Sequence, residues 1–196
     1  MIVYGASGHG KVVIEILEVL GKRVDFVVDD NPVLSELLGY EVRRNTGVYK
    51  EAVVAIGSCQ IRKKIVEELQ VEKWVTVIHP AAIISPRAVI GEGSVVMPNA
   101  VVNSCAVIGK HCIVNTGATV DHDCKIGDFV HVAPGVHISG GVTVGDGSWI
   151  GVGACVKQGV KIGKGCMIGA GAVVVNNIPD DITAVGIPAK DIQLKD

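Results

Sequence analysis

From residue 78 to residue 174, every sixth position is Val or Ile: Ile78, Ile84, Ile90, Val96, Val102, Ile108, Val114, Val120, Ile126, Val132, Ile138, Val144, Ile150, Val156, Ile162, Ile168 and Val174. Val and Ile are 57 of the 196 residues, so this unbroken run is not a product of composition. A second register lies four residues on, where the chain places short residues such as Ala100, Ala106, Cys112, Ala118, Cys124 and Ser148. A helix has no such period, and neither does a long strand. A period of six fits short strands joined by tight turns, three flat faces to a coil. Gly91, Gly109, Gly127, Gly145 and Gly163 recur once per coil. The branched residue should point inward, and the short one should fill the corner. Gly directly after the aliphatic residue is expected to supply the unusual backbone angles of the turns. One coil cannot bury its own apolar side, so the coils must stack.

This pattern resembles the left-handed parallel β-helix of hexapeptide acyltransferases. The handedness is implied by the resemblance, not by the spacing. Related β-helices also occur in γ-type carbonic anhydrases and as appendages of nucleotidyltransferases.

Residues 1–76 lack the hexad. Ile2 to Tyr4 reads as a strand, Gly5-Ala6-Ser7-Gly8-His9-Gly10 as a turn, and Lys11 to Leu20 as a helix. Val24 to Val28 reads as a second strand ending in Asp29-Asp30-Asn31-Pro32, and Ala52 to Ile56 as a third. Ile61 to Leu69 has helical spacing, and Trp74 to Ile78 leads into the hexads. This is a Rossmann-like β-α-β unit with a parallel sheet. Three segments are therefore expected: a β-α-β unit of nucleotide-binding type over 1–76, a β-helix over 77–178 and a tail over 179–196. In the glycine turn, Gly8, His9 and Gly10 stand where backbone amides can meet phosphate oxygens at a helix N-terminus. Asp29 or Asp30, about 20 residues on, could hydrogen-bond a ribose or base. The spacing is not G-x-G-x-x-G, so an NAD site is not expected.

The formal net charge of −2, without a basic block, argues against a nucleic-acid or membrane-surface role. No apolar stretch is long enough to span a bilayer, and a cytoplasmic protein without a signal peptide is expected. The six cysteines form no Cys-x-x-Cys pair, and Cys112, Cys124 and Cys166 fall in the short inward register. They are expected to be reduced packing residues, and no metal is expected.

Both halves together resemble one group, the sugar acetyltransferases of the PglD and NeuD type. The matching residues are Tyr4 to Gly10, Asp29-Asp30, Asn115-Thr116, His122-Asp123, His131 and Gly186-Ile187-Pro188-Ala189-Lys190. The resemblance implies an acetyl-CoA-dependent N-acetyltransferase. Its acceptor would be the 4-amine of a UDP-linked amino-dideoxy sugar, for surface glycan or glycoprotein synthesis. Sialic acid O-acetylation is the alternative within the group. A carbonic anhydrase would need a His-x4-His pair, and His131 and His137 are six apart.

Acetyl transfer to an amine needs a base, an oxyanion donor and two substrates held in contact. His122 lies on an outward turn two residues after the inward Val120. The resemblance makes it the general base, with Asp123 as its orienting carboxylate. The group more often has Glu there, so the shorter Asp leaves the partnering geometry open. It also implies acetyl-CoA binding by His131, Gly140, Asn115, Gly169, Ala170 and Pro188, with His131 next in line as a base. His79 reads as structural, and His111 and His137 as surface turn residues. A homotrimer with sites between chains is implied.

Overall fold

The computed structural model describes residues 1–30 and 34–192. The Asn31-Pro32 end of the acidic turn and the last four positions of the tail lie outside the described residues. The N-terminal region forms one sheet from β1 (Ile2–Tyr4), β2 (Phe26–Val28), β3 (Glu36–Leu37), β4 (Tyr40–Arg43), β5 (Val48–Val54) and β6 (Gln70–Trp74). The strand order is β3-β4-β2-β1-β5-β6, with α1 (Gly8–Val19) and α2 (Cys59–Glu68) as crossovers. All its pairings are parallel except β3 with β4. The three strands read from sequence are β1, β2 and β5, whose residues Val3, Val27 and Val53 are fully buried. β3 and β6 are the edge strands, and β4 lies between β3 and β2. Val42 is the buried residue of β4, and β6 shows two half-buried positions, so neither presents an apolar run.

From Val77–Ile78 to Val173–Val174, seventeen two-residue strands follow at the hexad spacing among the described residues. Each pairs in parallel with the strand 18 residues away, as Ile113 with His131 and His131 with Trp149. Three sheets result. The first face carries Val95–Val96, Ile113–Val114, His131–Val132 and Trp149–Ile150; the second carries Thr119–Val120 and His137–Ile138; the third carries Lys125–Ile126 and Thr143–Val144. The inward Val and Ile residues form one column with the short residues, Cys112, Cys124 and Cys166 included. The tail adds Thr183–Val185 and Lys190–Asp191 to the first face.

The glycines correct one expectation. Gly109, Gly127 and Gly145 are not the residues with positive φ; that conformation falls two positions later, at His111 (φ 51°), Phe129 (φ 59°) and Gly147 (φ 67°). The first set is glycine because coils touch there. A Cβ on Gly145 would lie 2.6 Å from the carbonyl carbon of Gly163.

The N-terminal unit sits on the first face. Val13, Ile14 and Leu17 of α1 share a core with Val77, Val95 and Met97 of the β-helix.

Candidate active site

The glycine turn is held from below. The Gly5 amide donates to the Val28 carbonyl at 2.8 Å, and the Ala6 amide donates to Asp29 Oδ2 at 2.9 Å. Gly5 has φ +118°, and Gly10 is required because a Cβ would strike the Gly5 carbonyl oxygen. Gly8 faces open space. The helix begins at Gly8 rather than Lys11, so His9 and Gly10 belong to its first turn. Asp30 accepts from the Tyr4 hydroxyl; burial and that bond push the hydroxyl pKa up. Both acidic residues thus end beside the turn at the edge of the parallel sheet.

His9 brings this turn to the β-helix. Its ring centroid is 6.4 Å from that of His131, which lies 4.2 Å from Trp149. His131 is on a strand of the first face, and the N-terminal unit buries it. Its Nδ1 donates to the Gly57 carbonyl at 3.0 Å, and its Nε2 accepts from Asn115 Nδ2 at 3.1 Å. Asn115 is held in that orientation because its Oδ1 accepts the Thr116 amide at 2.8 Å. Burial first, with Arg62 and His9 adding to it against the Gly57 hydrogen bond, lowers the His131 pKa to about 4. Burial and Arg62 lower that of His9 to about 4 as well. Both rings are neutral at pH 7. With both nitrogens engaged, His131 is not a spare base.

His122 lies elsewhere, on the turn between the second and third faces, the edge opposite the first face. It is exposed, and Asp123, in the left-handed region at φ 58°, turns its carboxylate back to His122 Nδ1 at 2.7 Å. The shorter Asp therefore reaches the ring. Asp121 Oδ1 accepts the His122 amide at 2.8 Å and is itself held by Asn103 Nδ2 at 2.9 Å. The Asp123 hydrogen bond, then the Asp121 charge, raise the His122 pKa. Gly140 is one coil on, and its missing Cβ would stand 2.6 Å from His122 Cε1 and Nε2. The imidazole lies against that glycine, with Nε2 free of the carboxylate.

The remaining residues spread over two edges. Asn115 and Gly169 stack on the edge between the first and second faces, with Ala170 next to Gly169. Gly140 is on the edge of His122. Pro188 belongs to a segment that crosses Val173: Val173 donates to the Gly186 carbonyl, and the Ala189 amide donates to the Val173 carbonyl. One chain therefore gathers His9, His131 and Asn115 in one place and His122, Asp123 and Gly140 in another, and does not join them.

Two of the other histidines depart from expectation. His111 is buried, stacked on Phe129 at 5.3 Å and edge-on to Trp74 at 4.8 Å. The N-terminal unit covers a turn that would otherwise be solvated. His137 is exposed but on a strand, where its Nδ1 meets Thr119 Oγ1 at 2.9 Å. His79 accepts the Ala81 amide at 2.9 Å, a structural role. The sequence reading missed Gly57, Arg62 and Trp149, which line the junction. Arg62 carried a signal: it interrupts the buried stripe of Cys59 and Ile65 on α2. Among the described residues, no group of three His, Cys, Asp or Glu is placed to hold a metal ion.

A β-helix with an N-terminal nucleotide-binding-type sheet, an exposed His–carboxylate pair and a buried His junction defines the class of hexapeptide transferases. The family described as PglD N-terminal domain matches residues 1–69, and that described as bacterial transferase hexapeptide (six repeats) matches residues 87–122 and 141–176. A mutant of perosamine N-acetyltransferase from Caulobacter crescentus, in complex with CoA and GDP-perosamine, is 38% identical with a TM-score of 0.91, covering 98% of this chain and 96% of that one. The acetyltransferase domain of PglB from Neisseria gonorrhoeae FA1090, in complex with acetyl coenzyme A, is 41% identical with a TM-score of 0.88, covering 97% and 98%. UDP-N-acetylbacillosamine N-acetyltransferase of Bacillus subtilis (strain 168) is 38% identical over an alignment of 110 residues, with 47% of this chain and 49% of that enzyme covered. The chain belongs to the hexapeptide-repeat sugar acetyltransferases of the PglD type.

Proposed function

We propose that this chain moves the acetyl group of acetyl-CoA to the amine of a nucleotide-linked amino-dideoxy sugar, specifically the 4-amine of a UDP-linked one. The observation that carries the reading is the His122–Asp123 pair. With Nδ1–H donated to Asp123, Nε2 keeps a lone pair, on an exposed ring that lies against Gly140. The sugar nitrogen attacks the thioester carbon, and His122 Nε2 takes one amine proton. The Gly140 amide donates to the oxyanion. The C–S bond then breaks, and the proton passes to the CoA sulfur, giving an amide and free CoA thiol. In this reading Asp29, Asp30, Gly8, His9 and Gly10 hold the nucleotide and its phosphates. His131, Asn115, Gly169, Ala170 and Pro188 hold acetyl-CoA.

The division at 1–76, 77–178 and 179–196 follows the same logic, since β6 ends at Trp74 and the first hexad strand begins at Val77. A homotrimer is part of the proposal, because His122 stands on the edge away from its own N-terminal unit. No helix among the described residues is long and apolar enough to cross a membrane. All six cysteines are free, which fits the cytoplasm as the place of action.

The test is thiol release from acetyl-CoA with UDP- and GDP-linked 4-amino sugars and with sialic acid as acceptors. Release and an acetylated product are expected with the UDP-linked amine. Release with sialic acid alone would establish the O-acetyl reading instead.

A further inference from the structure

Among the described residues, Arg62 is the fully buried Arg, Lys, Asp or Glu, at 1% exposure. It has no carboxylate partner there. Its guanidinium instead reaches carbonyls from both halves of the chain. Nη1 donates to Ile56 at 2.7 Å and Gly57 at 2.9 Å, in the N-terminal unit. Nε donates to His111 at 2.8 Å and Nη2 to Phe129 at 2.7 Å, in the β-helix. Nη2 also reaches the Val130 carbonyl at 3.5 Å, so a planar fork of five N–H donors meets five carbonyls, which offset the cost of its burial.

The carbonyl of Gly57 is shared. It also accepts from His131 Nδ1. The same segment touches the glycine turn, since a Cβ on Gly5 would lie 2.8 Å from the Ala55 carbonyl oxygen. Arg62 thus stands behind a chain of contacts from the nucleotide-side turn through Ala55–Gly57 to His131 and Asn115. We propose that Arg62 is a positioning residue for acetyl transfer, fixing the Gly57 carbonyl as the seat of the His131 Nδ1 proton and locking the N-terminal unit to the first face. This rests on the acetyl-transfer reading for its kinetic consequence alone.

The test uses full-length chain labelled with ¹⁵N-histidine. In the unsubstituted protein, His131 should carry its proton on Nδ1, in slow exchange with water. Arg62→Lys keeps a buried cation but has three donors on a single nitrogen, and Arg62→Met has none. In the folded variants, that proton should exchange rapidly. Turnover should fall by about 10–10²-fold, as a misplacement of roughly 1 Å does. Affinity for UDP should change by less than about threefold. Lys63→Met, on the exposed side of α2, should leave all three readouts unchanged. A folded Arg62 variant with an unaltered His131 proton or normal turnover overturns the proposal. So does an unsubstituted protein whose His131 Nδ1 is bare or exchanges freely, which keeps the test decisive even if neither variant folds. An unsubstituted chain that transfers no acetyl group would sink the function while leaving the proton readout intact.

Discussion

The His122 imidazole has its two nitrogens divided, Nδ1 bonded to Asp123 and Nε2 beside Gly140. General-base catalysis is typically worth about 10²–10⁴-fold, so His122→Ala should lower turnover by that order while both substrates still bind. Asp123→Asn should cost less, because an amide oxygen still orients the ring but does not stabilise its cation. The pH dependence follows from the sign of the shift. The pair raises the His122 pKa, and the proposed base is the neutral ring, so the rate should fall as pH drops through that raised value. Asp123→Asn removes the main cause of the shift and should move the acidic limb to lower pH. An acidic limb that stays in place in this variant would assign it to another group. Gly140→Ala is a sharper probe. Its Cβ must displace the exposed His122 ring, so turnover should fall while the melting temperature holds. His131 is no substitute for His122, because its pKa is lowered to about 4 and both nitrogens are occupied.

Two different demands for glycine alternate along each coil. Gly145 is a contact between coils, while Gly147 is a left-handed residue with nothing within 4 Å of its absent Cβ. The left-handed position accepts side chains elsewhere, as Asn99, Asp123 and Phe129 show. Gly145→Ala should therefore cost about 1–3 kcal/mol through overpacking, and Gly145→Asn more. Gly147→Ala should cost roughly 1–2 kcal/mol, of which Gly147→Asn recovers a part. Denaturant unfolding of the four variants would check the order, and equal costs for Asn at the two positions would refute it. The hexad announced the β-helix because each inward residue meets the same demand in every coil. The glycine after it was visible, yet its reason was not, because contact between coils is a relation over 18 residues. The same holds for His111. Its hexad position is a turn, and only the packing of the N-terminal unit buries it. β3 and β6 were missed because edge strands need little apolar sequence, and β4, next to the edge, because Val42 is its one buried residue. The site showed the opposite balance: His122–Asp123 was legible as neighbours on one turn, whereas the Gly57–His131–Asn115 chain joins residues 74 and 16 positions apart.

The N-terminal unit covers the first face, and His122 projects from the edge between the other two. On the proposed assignment, a sugar held by the glycine turn and Asp29–Asp30 would be presented away from the His122 of its own chain. A heterologous contact that closes into a ring would bring it to the base of a neighbour. This can be decided by mixing two inactive chains. The His122→Ala chain keeps its nucleotide site, and the Asp29→Ala/Asp30→Ala chain keeps its base. If a site draws both parts from one chain, no mixture restores activity. If it draws them from two, random reassembly from equal amounts should leave about a quarter of the interfaces with both parts intact. Each protein alone should be near background, and the mixture, after dissociation and reassembly, should recover a corresponding share of the unsubstituted rate. Mixing without dissociation, assayed before chains can exchange, should recover none. A reassembled mixture that stays at background, with light scattering showing three chains per particle, would place the working base in the same chain as the nucleotide and require the N-terminal unit to leave the first face.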